Sequence, residues 1–145
     1  MAPTTTDPVR VAGAAVDLSG RIVQSSTIVA SPTDNTETII ASLTLPANVN
    51  IISGVLLLCN ANFTIGTSGV SGNLKIRQTS ASGTTVVASG VVNAGVWAAT
   101  QLTQLTVVGF DTAASSGQLY KATLTVGSGA AASTVSAVTL AALIL

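Results

Sequence analysis

The sequence predicts an all-β domain, an eight-stranded jelly-roll β-sandwich with an extended N-terminal arm. Three observations point there. Hydrophobic residues make up 48% of the 145 residues, against 7% charged and 3% aromatic, and Val, Thr, Ile, Ala and Ser dominate, the vocabulary of pleated, half-buried strands. No segment sustains a helical period; short runs alternate instead. Turn signals built from the 13 Gly and 4 Pro, with Asn, Asp and Ser, recur at roughly ten-residue spacing. Eight strands with long connections favour a jelly roll over an immunoglobulin-like sandwich, whose Cys…Trp…Cys frame needs more than the single Cys59.

Residues 1–20 read as the arm and 21–145 as the sandwich domain. The opening MAPTTTDPVRVAGAAVDLSG holds Pro3 and Pro8, which favour extended backbone, and little that could form a core. It has no apolar core behind a basic start, so no signal peptide is expected. The first strand is RIVQSSTIVA (21–30), closed by the turn residues Pro32, Asp34 and Asn35. ETIIASLTL (37–45) alternates next, with Ile39, Ala41, Leu43 and Leu45 on one face, and it stops at Pro46. IISGVLLLCNANF (51–63) follows, long and apolar, with Gly54 a candidate bulge. After a Gly/Ser loop, NLKIRQT (73–79) turns Leu74 and Ile76 inward and Lys75 and Arg77 outward. TTVVAS (84–89) is the fifth strand, and residues 90–99 read as a loop carrying Trp97. LTQLTVVGF (102–110), LYKATLTV (119–126) and TVSAVTLAALIL (134–145) complete the set.

Chemistry has little foothold in these residues. The chain has 5 Lys+Arg, 5 Asp+Glu and no His. A nucleic-acid binder needs a basic footprint to displace phosphate counterions, and none exists. Without His the usual general base and metal ligand are missing, so no catalytic residue, cofactor or metal is assigned. Asp34 and Glu37 could offer two oxygens to Ca²⁺, but a calcium loop concentrates more acids. GSGAAA (127–132) fits a dinucleotide fingerprint only if a helix follows, and Thr134, Val135 and Val138 prefer a strand. Trp97 and Tyr120 are two lone aromatics, better suited to a core or an interface than to sugar stacking. Cys59, inside VLLLC, reads as a small buried hydrophobe. No run reaches the length of a spanning helix, so no membrane partner is expected.

So few charges, with zero net charge, suit an assembly component better than a free monomer. The last strand sharpens this. Val135, Ala137, Thr139, Ala141, Leu143 and Leu145 fall on one face; Ser136, Val138, Leu140, Ala142 and Ile144 fall on the other. After Thr139 neither face is polar, whereas a strand with one wet face should alternate. One face is therefore expected in the sandwich and the other in a subunit interface, with Val138, Leu140, Leu143, Ile144 and Leu145 as candidate interface residues.

The stretch ETIIASLTLPANVNIISGVLLLCNANFTIGTSGVSGNLKIRQTS, with LYKATLTVGSGAAASTVSAVTLAALIL, resembles the jelly-roll virion proteins of tailed bacteriophages. The likeness lies in the strand-LPA-turn-strand opening, the Gly/Ser loop before a KIR-type strand and the closing TVSAVTL strand. It implies a capsid decoration (cement) protein on the outer surface of the virion. Such a protein is typically a homotrimer similar in fold to tumour-necrosis-factor domains, with the major capsid protein as partner. It also implies an arm that reaches a neighbouring subunit, with Pro3, Pro8, Val9, Arg10 and Val11 as candidate contacts. The alternative is a recognition module, either a receptor-binding tail domain or a carbohydrate-binding sandwich, which would need a polar-aromatic pocket.

Overall fold

A computed structural model describes residues 9–11, 14–16, 21–25, 32, 35–66, 70–80, 83–92, 101–127 and 133–145. Ten strands run in chain order: β1 (Val9–Val11), β2 (Ala14–Val16), β3 (Ile22–Ser25), β4 (Thr38–Thr44), β5 (Val55–Thr64), β6 (Gly72–Ser80), β7 (Gly83–Val92), β8 (Leu102–Asp111), β9 (Leu119–Val126) and β10 (Thr134–Ile144). Strands β3 to β10 form two four-stranded sheets, ordered β3-β10-β5-β8 and β4-β9-β6-β7. Every pairing is antiparallel.

These pairings describe one long rolled hairpin. β6 pairs with β7 at its tip, and β5 with β8, β4 with β9 and β3 with β10 continue it backwards. Rolling the doubled ribbon brings β10 onto β5 and β9 onto β6. The fold is a jelly-roll sandwich, which hides most strand edges and leaves two inner faces to bury together.

The core is built from alternate residues of both sheets. β5 turns Val55, Leu57, Cys59, Ala61 and Phe63 inward, β9 turns Tyr120, Ala122, Leu124 and Val126, and all of these are buried. Leu74 and Ile76 are buried, while Lys75 and Arg77 lie outside. Burial pushes the Cys59 thiol up to about 12, which leaves it an inert packing group. At one edge β7 and β8 approach closely. A Cβ on Gly109 would lie 2.8 Å from the Ala88 Cβ and 3.2 Å from the Val87 carbonyl oxygen, so only glycine admits that contact.

β-Bulges correct the expected faces of two strands. In β4 the register shifts between Ile39 and Ala41. Ile39 is therefore exposed, while the adjacent Ile40 and Ala41 are both buried. In β10 the shift lies between Val135 and Ala137, so Val135 shares the inner face with Val138, Leu140, Ala142 and Ile144. A bulge adds one residue and reverses the alternation beyond it.

Gly54 is not a bulge. It precedes β5 with φ +137°, and a Cβ there would fall 2.5 Å from the Asp111 carbonyl oxygen. β5 accordingly starts at Val55 instead of residue 51. The backbone N–H groups of Ile52 and Ser53 donate to the Leu145 carbonyl, and that of Leu145 to Gly54. β7 runs on to Val92, past the expected start of a loop; residues 93–100, Trp97 among them, lie outside the described residues. So do residues 26–30 of the first expected strand.

The expected arm is folded at its described part. β1 and β2 pair with each other, Val9 opposite Val16 and Val11 opposite Ala14, as a two-stranded sheet apart from the sandwich sheets. Val9, Arg10 and Val11 thus belong to a hairpin; Pro3 and Pro8 lie outside the described residues.

Candidate functional site

The sandwich has two outer faces of opposite chemistry. On the β4-β9-β6-β7 sheet, β6 carries Lys75 and Arg77, β9 carries Lys121 opposite Arg77, and Glu37 lies just before β4. The Arg77 guanidinium grips both Glu37 oxygens, with Nη2 to Oε2 at 2.7 Å, and Lys75 Nζ is 3.8 Å from Oε2. The Arg77 hydrogen bond, helped by Thr123 and the nearby cations, lowers the Glu37 carboxyl to about 2. Both carboxylate oxygens are thus engaged by this chain's own side chains; Asp34, its expected partner for Ca²⁺, lies outside the described residues.

The outer face of the β3-β10-β5-β8 sheet carries no charge along its cross-strand rows. The register aligns Ile22, Leu143, Leu56 and Phe110 in one row, and Gln24, Ala141, Leu58 and Val108 in the next. Much of this apolar surface is open: Ile22 is 61% exposed, Leu56 37%, Leu58 40%, Val108 56% and Phe110 47%. The following rows switch to amides and hydroxyls, Thr139 with Asn60 and Thr106, then Ala137 with Asn62 and Gln104. Asn60 Nδ2 donates to Thr106 Oγ1 at 2.7 Å, and Gln104 Nε2 donates to Asn60 Oδ1 at 3.1 Å. One end of the face is oily and the other is a self-satisfied polar ladder.

This divides the five expected interface residues. Val138, Leu140 and Ile144 are buried inside the sandwich, at 4% exposure or less, and could meet another subunit only if the sheets parted. Leu143 lies on the outer face, between Ile22 and Leu56, and Leu145 is exposed beside it. The face also contains residues not expected from the sequence: Ile22, Leu56, Leu58, Val108 and Phe110. Their signal was present in VLLLC (55–59) and VVGF (107–110), where, as in residues 140–145, no polar face alternates with the apolar one.

Elsewhere the residues offer structure instead of chemistry. Tyr120 is fully buried, so it cannot stack on a sugar. Its hydroxyl donates to Asp111 Oδ2 at 2.8 Å, and Asp111 Oδ1 accepts the Ala113 backbone N–H at 2.9 Å. Burial, and then the Asp111 hydrogen bond, raise the Tyr120 phenol above its usual range. Since β9 and β8 belong to different sheets, this bond ties the sheets across the core. Residues 128–132 of the fingerprint-like GSGAAA lie outside the described residues, and from Thr134 the chain runs as the strand β10, where a pyrophosphate site would need a helix. Among the described residues no group of three or more His, Cys, Asp or Glu could hold a metal, and no helix is long and apolar enough to cross a membrane.

Comparison with known proteins places the fold. No protein-family model matches the chain, and no curated protein matches it. Solved structures do. Eiger TNF from S. frugiperda superposes with a TM-score of 0.56 at 6% identity, over 86% of this chain and 91% of that one. Murine APRIL gives 0.56 at 9% identity, over 86% and 98%. The VP2 subviral particle of infectious bursal disease virus gives 0.55 at 13% identity; it covers 99% of this chain, which spans 38% of the VP2 chain. At these identities the likeness establishes a shared jelly-roll fold, arrived at independently from the strand order above.

Proposed function

We propose that this chain is a structural virion protein, a capsid decoration protein that binds the outer surface of the shell as a homotrimer and stabilises it. The observation that carries the reading is the uncharged, apolar end of the β3-β10-β5-β8 outer face. It is a surface suited to another protein, on a scaffold where Glu37 is paired with Arg77 and the buried Asp111 with Tyr120. The jelly-roll fold shared with a viral VP2 subviral particle supports it, as does the sequence resemblance to phage virion proteins. The role is mechanical. Burying several hundred Å² at each site, at about 25 cal/mol per Å², adds a favourable term that repeats over the lattice. The N-terminal segment, including the β1–β2 hairpin, is the proposed contact with the major capsid protein, which leaves the apolar face free for another role.

Electron cryomicroscopy of the parent particle, with and without this chain, tests the reading. Trimeric density on the outer shell is expected, together with a lower disruption temperature for particles that lack it. Density at the tail tip would overturn it in favour of a receptor-recognition module. Deleting residues 1–20 is expected to weaken binding to purified capsids; unchanged affinity would rule out the arm contact.

A further inference from the structure

The residues expected at a subunit contact and the exposed apolar face lie largely in different places. Three of the five terminal-strand residues expected at a subunit contact are interior. The exposed apolar surface instead spreads across all four strands of the sheet. We propose that a second copy of this chain occupies the apolar end of that face, centred on Leu56, Leu58, Val108 and Phe110 with Ile22 and Leu143 beside them. The Asn60–Thr106–Gln104 ladder stays at the wet margin. This rests on the reading of the chain as an oligomeric virion component and names the surface through which copies meet.

Area is the first argument. Applying the exposed fractions of Ile22, Leu56, Leu58, Val108, Phe110 and Leu145 to whole side chains gives on the order of 500 Å² of contiguous apolar surface. A stable interface needs about 800 Å² from each partner, with an apolar centre and a polar rim. The oily rows supply the centre, while Gln24, Thr139 and Asn60 in and beside them supply the rim.

Charge is the second. Neither row contains an ionisable residue, so one copy can face another without like-charge repulsion or buried unpaired charge. Around a symmetry axis the patches of neighbouring copies come close together, and an uncharged patch meets them without like-charge repulsion.

Relief is the third. Ala141 lies between Gln24 and Leu58, and Leu143 lies two residues along the strand. The alanine is the shortest side chain of its row, and a Leu or Phe of the facing copy would seat above it beside Leu58. The polar ladder is a poor candidate for the same contact, because its amide and hydroxyl groups already satisfy one another and would lose water without gaining partners.

The test is the oligomeric state of the full chain by sedimentation and light scattering across nanomolar to micromolar concentrations. The wild type is expected to self-associate. Leu58→Asp and Val108→Asp, shown folded by far-ultraviolet circular dichroism, are expected to raise the dissociation constant about 30-fold or more. Gln104→Lys, in the polar half, is expected to leave it within about threefold. A monomeric wild type overturns the proposal, as does an oligomer untouched by both Asp variants or one broken only by Gln104→Lys. A monomer that partitions onto neutral phosphatidylcholine vesicles would assign the patch to lipid and equally overturn it. The micrograph test of virion location is independent: self-association can fail while shell density remains, and the reverse.

Discussion

Tyr120→Phe removes one oxygen atom from a fully buried ring and should cost far more than that volume suggests. The hydroxyl donates at 2.8 Å to Asp111 Oδ2, across the core from one sheet to the other. Asp111 is 7% exposed, and its remaining contact is the Ala113 N–H on Oδ1. Without the phenol, Oδ2 is left in the interior with no donor in place of water. Orphaning a buried acceptor of this kind costs about 2 kcal/mol. For a domain of this size that corresponds to a fall of about 6 °C in melting temperature. Thermal and urea unfolding at pH 7, followed by circular dichroism, would measure it. The coupling is checked by a cycle with Asp111→Asn. Once the carboxylate is gone, Tyr120→Phe should cost about 1 kcal/mol less than it does in the wild type. A melting temperature within about 1 °C of wild type, or strictly additive variants, would refute the claim that this bond ties the sheets.

Two further predictions rest on local geometry and charge. Gly54→Ala forces a side chain into φ +137° and places its Cβ 2.5 Å from the Asp111 carbonyl oxygen, whereas Gly117, at φ +73°, has nothing within 4 Å of a Cβ. Gly54→Ala should therefore destabilise by about 3 kcal/mol and Gly117→Ala by about 1 kcal/mol in urea titrations; equal effects would remove the steric argument. Glu37 has a folded pKa of about 2 against 4.5 for the free side chain. A lowered carboxyl stabilises the fold above the higher value, and this is lost as pH falls from 4.5 towards 2. Because the group is partly exposed and screened, Glu37→Gln should cost only about 1 kcal/mol at pH 7. The gap between variant and wild-type urea midpoints should close as pH falls through that window, and a gap constant from pH 7 to 2 would contradict the assignment.

How much of this was legible depended on whether the signal was local. The β9 limits were readable to the residue, because LYKATLTV lies between a polar turn and a glycine-rich loop. The inward set of β6, Leu74 and Ile76, followed from simple alternation. The faces of β4 and β10 could be read only as far as their bulges. Ile39 and Val135 were assigned wrongly because one extra residue, placed by the partner strand, reverses everything beyond it. The start of β5 was misread because Ile51 and Ile52 look like strand residues, while the backbone N–H groups of Ile52 and Ser53 are held by the Leu145 carbonyl, far away in sequence.

The amino-acid sequence by itself determined the fold class: strands, because branched apolar residues alternate between turn residues. It also displayed, in a nearly uncharged chain, strands that are apolar on both faces, which is the ground on which an assembly role is proposed. Which of two apolar faces is inside is not a property of any one strand. Leu140 and Leu143 are both leucines in the same run, yet one is enclosed by the opposite sheet and the other lies in an outward row with Leu56 and Phe110. Only rolling the ribbon decides that, because burial belongs to the pair of sheets that meet. The surface offered to a partner is what remains once those inner faces have been chosen.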